Sequence, residues 1–133
     1  MKMSRARVLV VEDEIEVAAT LLELLTGRDY EVVTATTAEE SFAIIDEFRP
    51  DVLLLDLSLP GLSGPGLLTV FARVHPALPV IVMTSAVDPR AIAEIVTRRP
   101  FRLVHKPYDI DALDRLIAAA TEQSRAGVGR TVV

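Results

Sequence analysis

Short apolar segments alternate with longer amphipathic segments along most of the chain, and this alternation restricts the possible folds more than any other feature. Repeated alternation of strands and helices is typical of a parallel β-sheet covered by helices. The five predicted strands are residues 7–11, 31–35, 51–55, 79–83 and 101–105. Joined by right-handed crossovers, they predict an α/β fold, a doubly wound five-stranded parallel sheet flanked by five helices.

Local signals indicate where several of these helices begin and end. Thr37 and Glu40 have the spacing of a capping box, in which both side chains satisfy free amides at a helix start. Pro89 stands at the first position of the fourth predicted helix, and Asp109 is expected to cap the fifth. Gly27 stands where a left-handed residue would end the first helix.

Composition excludes several classes of protein. Half of the residues are hydrophobic and 25% are charged, which is typical of a folded domain. The chain has no cysteine, so disulfides, thiolate nucleophiles and cysteine zinc sites are excluded. A net charge of -5 argues against direct nucleic-acid binding, and the apolar runs are far shorter than the ~20 residues of a membrane span. We therefore expect a cytoplasmic protein without membrane insertion.

The length of 133 residues suits one domain. The predicted folded domain covers residues 1–124, where the strand and helix patterns lie. Residues 125–133 include Gly127 and Gly129 and are predicted to be a flexible tail or a linker stub.

Polar side chains follow four of the predicted strands. Glu12 and Asp13 follow the first strand, Asp56 follows the third, Thr84 the fourth and Lys106 the fifth. Because parallel strands share one direction, these side chains are expected to lie at one edge of the sheet. Doubly wound sheets bind their ligands beyond this edge.

Each of these residues also has an ordinary explanation. Acids after a strand commonly begin the next helix, and a single lysine is usually solvated. Asp56 is harder to explain in this way, because it follows three leucines. A buried, unpaired carboxylate there would cost several kcal/mol or have a raised pKa.

The charges at this edge predict a cation and a phosphoryl group. Glu12, Asp13 and Asp56 bring three negative charges, which a divalent cation and Lys106 together would neutralise. Oxygen ligands without histidine or cysteine favour Mg²⁺. A phosphoryl group is then the expected guest, because Mg²⁺ and lysine can share its oxygens while Thr84 donates a hydrogen bond. Asp56 is placed to attack phosphorus and form an aspartyl-phosphate.

These residues resemble the motifs of receiver domains in two-component response regulators. The resemblance covers about residues 7–123, and in order and strand context its motifs are highly specific. The motifs are Val10-Val11-Glu12-Asp13-Glu14, Asp51-Val52-Leu53-Leu54-Leu55-Asp56-Leu57-Ser58-Leu59-Pro60-Gly61, Met83-Thr84-Ser85-Ala86 and His105-Lys106-Pro107.

The resemblance implies a flavodoxin-like fold with strand order 2-1-3-4-5. It also implies that Asp56 accepts phosphate from a sensor histidine kinase or a phosphotransfer protein. By position, Asp13 resembles the direct Mg²⁺ ligand and Glu12 its neighbour that acts through water. The main-chain carbonyl of Ser58 would be the third protein ligand.

Other implied roles concern the response to phosphate. Thr84 and Lys106 would sense the phosphoryl group, and the peptide bond before Pro107 is expected to be cis. Three residues before Lys106 the family usually has Tyr or Phe, where this chain has Leu103. We expect Phe101 to share the face of Leu103 through strand alternation, with both on or near a switch surface of the fourth helix, fifth strand and fifth helix.

The resulting hypothesis is a domain that phosphorylates itself on Asp56 and later hydrolyses the product, rather than a conventional enzyme. The alternative is a non-phosphorylated docking module with a constitutive interaction surface. A nucleotide- or flavin-binding enzyme fits poorly, because Glu12 and Asp13 would repel phosphate. A haloacid-dehalogenase-like phosphatase would need an acid where this chain has Ser58. The sequence does not identify the cognate kinase or the downstream protein target. It also leaves the oligomeric state open, with a homodimer as one possibility.

Overall fold

Five strands and five helices alternate in the computed structural model, which describes residues 4–56, 65–85, 88–98 and 100–130. The elements are β1 (Arg7–Val11), α1 (Ile15–Thr26), β2 (Glu31–Ala35), α2 (Ala38–Phe48), β3 (Val52–Asp56), α3 (Pro65–Val74), β4 (Val80–Thr84), α4 (Pro89–Thr97), β5 (Arg102–His105) and α5 (Ile110–Arg130). The predicted alternation is therefore confirmed. β3 and β4 begin one residue later than predicted and end at Asp56 and Thr84.

The strands form one parallel sheet in the order β2-β1-β3-β4-β5, as predicted. Every residue of the central strands β3 and β4 is buried, because helices cover both faces of the sheet there. The edge strands β2 and β5 consist mostly of exposed and half-buried residues. This difference explains why the central strands are almost continuously apolar in sequence.

Each face of the sheet has its own hydrophobic core. Alternate residues of a strand point to opposite faces, so Val8 and Val10 belong to one core and Leu9 and Val11 to the other. The α1/α5 core contains side chains of α1 and α5, including Leu21 and Ile117, and the α2/α3/α4 core contains side chains of those three helices. The two cores together fix the helices around the sheet.

The capping signals for α2 and α4 are confirmed. Thr37 Oγ1 accepts a hydrogen bond from the main-chain N–H of Glu40 at 3.0 Å, and the Glu40 carboxylate accepts one from the N–H of Thr36 at 3.1 Å. The Asp88 carboxylate accepts from the N–H of Arg90 at 3.0 Å, with Pro89 as the first residue of α4.

The prediction of a left-handed Gly27 is wrong. Gly27 has a φ of -63°, and the residue with positive φ is Asp29, at 72°. The turn continues past Gly27 because the N–H groups of Arg28 and Tyr30 both donate to the Leu25 carbonyl, at 3.0 Å and 3.2 Å. The chain therefore reverses at Asp29, a residue type that tolerates the left-handed region.

The helix α5 continues to Arg130, past the point where the glycines predicted a tail. Arg125 holds this part of the helix, because its guanidinium donates to the main-chain oxygen of Arg5 at 3.1 Å and lies 3.7 Å from the Asp51 carboxylate. Residues 131–133 lie outside the described residues, and a domain boundary at residue 124 stays a prediction. Within the described ranges, no helix is both long and apolar enough to cross a membrane.

A polar cluster of Arg5, Arg28, Tyr30 and Asp114, here called the Asp114 cluster, fastens α5 to the residues that precede β1 and β2. Asp114 Oδ2 accepts from Arg5 at 3.1 Å and from Arg28 at 3.0 Å, and Oδ1 accepts from the Tyr30 hydroxyl at 2.5 Å. Burial alone would raise the pKa of Asp114, but the hydrogen bonds from Arg5, Tyr30 and Arg28 outweigh it and lower that pKa to about 2.

Candidate functional site

The parallel register brings the four polar strand ends to one edge of the sheet, as predicted. The paired residues that align these ends are Val11 with Leu55, Asp56 with Met83, and Thr84 with His105. Beyond the last pair, the N–H of Lys106 donates to the main-chain oxygen of Thr84 at 2.9 Å. The peptide bond between Lys106 and Pro107 is cis, as the resemblance implied.

Asp56 and Lys106 form an ion pair at this edge. The Lys106 ammonium donates to Asp56 Oδ2, and the Asp56 side chain is fully buried while that of Lys106 is 24% exposed. A buried carboxylate is costly unless a charged partner compensates it. Lys106 supplies that partner, so the structure brings these two predicted site residues into direct contact.

Glu12 is buried beside Asp56 and lies in an unusual environment. Its Oε2 accepts from the N–H of Glu14 at 3.1 Å, whereas its Oε1 receives no hydrogen bond from the part of the chain that the structure describes. Burial is the main cause that raises the pKa of Glu12, and the neighbouring Asp56 carboxyl raises it further, to about 8. The Glu14 N–H and the Lys106 charge oppose this shift only partly. The Glu12 carboxyl therefore keeps its proton to a higher pH than an ordinary glutamate does.

The donors at this edge fit a hard cation in their chemistry. Glu12 Oε1 is a buried oxygen without a partner in the described ranges, and Asp13 follows it in a half-buried position. Over those same ranges, no three His, Cys, Asp or Glu side chains are grouped to hold a metal ion unaided. Ser58, the third predicted ligand, lies outside the described residues. An oxygen-only donor set completed by main-chain oxygens and water is what Mg²⁺ prefers.

Thr84 and Leu103 occupy the positions expected of them, and Phe101 does not. Thr84 is buried at the end of β4. Leu103 is half-buried against the α2/α3/α4 core, but Phe101 packs against the α1/α5 core. The prediction of a shared face is wrong because β5 begins at Arg102, so Phe101 lies in the bend before the strand and does not follow its alternation.

Tyr108 is a residue near the site that the sequence analysis missed. Its side chain is half-buried against the α1/α5 core, two residues after Lys106. Burial is the main cause that raises the pKa of Tyr108, and the negative charges of Asp56 and Glu12 add to it. Its position directly after Lys106-Pro107, at a polar strand end, was the available signal.

A doubly wound parallel sheet with a buried aspartate at the end of β3, paired with a lysine after β5, defines a class of signalling domain. The sequence model of the response regulator receiver domain matches residues 8–118. The chain therefore belongs to the response regulator receiver domain family.

Relatives with assigned functions support this membership. The DNA-binding transcriptional regulator NtrC of Salmonella typhimurium is 35% identical over 118 residues, which cover 89% of this chain and 25% of that protein. The transcriptional regulatory protein GlrR of Escherichia coli is 32% identical over 125 residues, which cover 93% of this chain and 28% of that protein. The chain thus spans about a quarter of the length of these curated relatives.

Solved structures have the same fold. NtrX from Brucella abortus, in complex with ATP, superposes with a TM-score of 0.81 and 27% identity over 96% of this chain and 29% of that one. A response regulator receiver domain protein from Clostridium thermocellum gives a TM-score of 0.81 and 27% identity over 90% of this chain and 97% of that one. The match includes almost the whole length of the second structure.

Proposed function

We propose that this domain accepts a phosphoryl group on Asp56 from the phosphohistidine of a sensor histidine kinase or a phosphotransfer protein, and later hydrolyses it. The observation that carries the proposal is the buried Asp56 carboxylate in contact with the partly exposed Lys106 ammonium, at the sheet edge where such folds bind ligands. The proposed donor places the reaction in the cytoplasm. The acidic net charge of -5 supports a protein partner rather than direct nucleic-acid binding.

In the transfer step, an Asp56 carboxylate oxygen forms a bond to phosphorus while the bond from phosphorus to the imidazole nitrogen of the donor breaks. The leaving imidazole keeps the electron pair and takes a proton from water. The Lys106 ammonium stays next to Asp56, and its hydrogen bond shifts from a carboxylate oxygen to a phosphoryl oxygen. Its positive charge therefore compensates the site both before and after the transfer. The Thr84 hydroxyl donates to another phosphoryl oxygen.

Glu12, Asp13, Asp56 and the main-chain oxygen of Ser58 are the residues that we propose hold Mg²⁺. The ion would neutralise the charge on the phosphoryl oxygens. The buried Glu12 Oε1 supports this assignment, because a buried acceptor without a partner is costly unless a cation or water satisfies it. Positioning and charge neutralisation then supply the rate enhancement, and no side chain is needed as a general base.

The phosphorylated site would act on a switch surface of α4, β5 and α5, with Leu103 on β5. Thr84 ends β4 directly before the segment that leads to α4, so a shift of its hydroxyl toward phosphate is transmitted along the chain. Phe101 is not included in this surface, because it packs against the opposite core.

The alternative proposal is a docking module that is not phosphorylated. One observation favours it: Leu103 stands where the family usually has an aromatic residue. A docking module has no need to bind Mg²⁺, so titration with Mg²⁺ separates the two functions.

The proposed function is tested by incubating the protein with Mg²⁺ and acetyl phosphate, followed by intact-mass measurement at neutral and acidic pH. We expect one phosphoryl group on the wild type and none on Asp56→Asn, while Asp46→Asn, an exposed aspartate of α2, keeps it. Lys106→Ala should fold and bind Mg²⁺, but its switch surface of α4, β5 and α5 should respond only weakly to the phosphoryl group. Unmodified wild type, or acid-stable labelling of Asp56→Asn, would refute the proposal.

A further inference from the structure

A cleft lies at the edge of the sheet opposite to the proposed phosphoryl site, between the C-terminal ends of α2 and α3. The apolar wall of this α2/α3 cleft includes Ile45, Pro50, Val74 and Leu78. Pro50 precedes β3 and Leu78 precedes β4, so the cleft lies where these strands begin, whereas the phosphoryl site lies where they end. Its volume of about 650 Å³ is within the range of roughly 300–1,000 Å³ that is typical of small-molecule sites.

Three polar side chains from different elements converge on the α2/α3 cleft. They are Arg49, which caps the C-terminus of α2, His75, which follows α3, and Ser124 of α5. Over the described ranges, none of these three side chains has a hydrogen-bond or ion-pair partner. The hydroxyl of Thr121, in contrast, donates to a main-chain oxygen of its own helix. A few convergent polar groups on an otherwise apolar wall are typical of a ligand site.

Arg49 is an unusual residue for its position. Its N–H donates to the Ile45 carbonyl at 2.9 Å, and its φ is 52°, in the left-handed region that glycine or asparagine usually occupies at a helix end. An arginine in this conformation has a strained backbone. Its charge offsets the partial negative charge of the helix end. That effect, however, requires neither the cavity nor the polar groups from two other elements.

The nearby acids leave the charge of Arg49 available. Asp51 accepts from the N–H of Arg7 at 2.9 Å and lies 3.7 Å from the Arg125 guanidinium. Asp46 lines the cleft, but it forms no ion pair with Arg49 in the part of the chain that the structure describes. A guanidinium with available N–H groups binds a carboxylate through two parallel hydrogen bonds. The α2/α3 cleft therefore offers a carboxylate-binding group beside an apolar wall.

We propose that the α2/α3 cleft binds a small carboxylate with an apolar body. The Arg49 guanidinium donates to the carboxylate, His75 and Ser124 donate further hydrogen bonds to the polar end of the ligand, and the apolar body packs against Val74 and Leu78. This inference goes beyond the proposed function and does not rest on it, because the cleft and the phosphoryl site lie at opposite edges of the sheet.

Titration with 1-naphthoate, followed through the amide NMR signals of the whole chain, tests this site without Mg²⁺ or acetyl phosphate. We expect saturable shifts at Arg49, Ala77 and Leu78, with a dissociation constant of about 0.1–1 mM for a ligand of this size. The signal of Lys106, at the opposite edge, should not move. 1-Naphthylmethanol has the same rings without the charge and should bind at least about tenfold more weakly.

Arg49→Gln should weaken the binding of naphthoate at least about tenfold, because it removes the charged hydrogen bonds to the carboxylate. Arg73→Gln is the matched control, since it removes the same charge from an exposed arginine of α3 that does not line the cleft. It should stay within about twofold of the wild type.

Three further variants test the other walls of the cleft. Ser124→Ala should weaken binding about two- to fivefold through the loss of one neutral hydrogen bond. Asp46→Asn should strengthen it about twofold, because it removes an acid that repels a carboxylate. Ala77→Phe places a ring in the cleft and should abolish binding without a change of charge. If Arg49→Gln does not fold, Ala77→Phe and the neutral naphthalene still decide whether the site exists.

The contrary outcomes are equally definite. Equal affinity for naphthoate and naphthylmethanol would show that the cleft does not recognise the carboxylate. Equal weakening by Arg49→Gln and Arg73→Gln would reduce the effect to a general attraction between charges. The absence of saturable shifts around the cleft would remove the site. Each of these results would overturn the inference and leave the proposed function intact, because that function is decided by the labelling of Asp56.

Discussion

Glu12 and Asp114 are both acids with little contact to solvent, yet their surroundings shift the two pKa values in opposite directions. Burial and the nearby Asp56 raise the pKa of Glu12 to about 8. Three hydrogen-bond donors, two of them cationic, lower the pKa of Asp114 to about 2 against the effect of burial. Burial raises both pKa values, and the donors around Asp114 are what reverse that effect there.

Asp114 should stabilise the fold at neutral pH and lose that effect in acid. Its folded pKa lies below the ordinary value of 3.8, so its contribution is present above about pH 4 and disappears as the pH falls toward 2. We expect Asp114→Asn to lower the free energy of unfolding by about 2 kcal/mol at pH 7, and by less than about half of that at pH 3.

Urea unfolding at the two pH values measures this difference, with Asp46→Asn on the exposed face of α2 as the control. A loss of stability in Asp114→Asn that does not depend on pH would show that the carboxylate charge is not what matters in the Asp114 cluster.

At the scale of the elements, helix ends and strand ends set where the functional groups lie. Asp56 and Thr84 are the last residues of β3 and β4, so the backbone hydrogen bonds of the sheet fix both side chains at one edge. Helix caps position the segments between the strands, and the capping box of Thr37 and Glu40 at the start of α2 is the most complete of them.

Thr37→Ala should lower the free energy of unfolding by about 1 kcal/mol, because the N–H of Glu40 loses its acceptor at the start of α2. Thr37→Ser keeps a hydroxyl at the same place and should stay within about 0.5 kcal/mol of the wild type. Thermal unfolding followed by circular dichroism compares the three proteins. Equal losses for alanine and serine would mean that the threonine methyl group, and not the cap, is important.

Sequence predicted the strands to within one residue because buried parallel strands are almost continuously apolar, as in Val52–Asp56. It also predicted which residues meet at the site edge, because the direction of parallel strands decides this without side-chain detail. The Asp114 cluster could not be predicted in this way. Arg5, Arg28 and Tyr30 meet Asp114 through the packing of α5, and no spacing rule links these positions. The sequence pattern also could not predict the direction of the chain before β5, which turns Phe101 toward the other core.

At the scale of the whole molecule, the sheet brings acids from separate stretches together and leaves their charges incompletely compensated. Lys106 pairs with Asp56, while Glu12 keeps an unpartnered buried oxygen within the described ranges. A cation that binds only the folded domain would therefore stabilise it against unfolding by mass action.

Mg²⁺ at ten times its dissociation constant should raise the free energy of unfolding by about 1.4 kcal/mol. For a domain of this size, that corresponds to about 3–6 °C in the thermal midpoint. Asp13→Asn should lose most of this gain, because the proposed site loses a charged oxygen ligand, whereas Asp46→Asn should keep it. Scanning calorimetry with and without Mg²⁺ makes the comparison. A gain that is equal in all three proteins would place the cation elsewhere.

The firm attachment of α5 has a practical consequence for biosensor design. A fluorescent protein fused behind this helix would keep the same orientation whether or not the aspartate carries phosphate, because two arginines and a tyrosine hold Asp114 and Arg125 holds the following turns. Such a fusion would report abundance and not signalling.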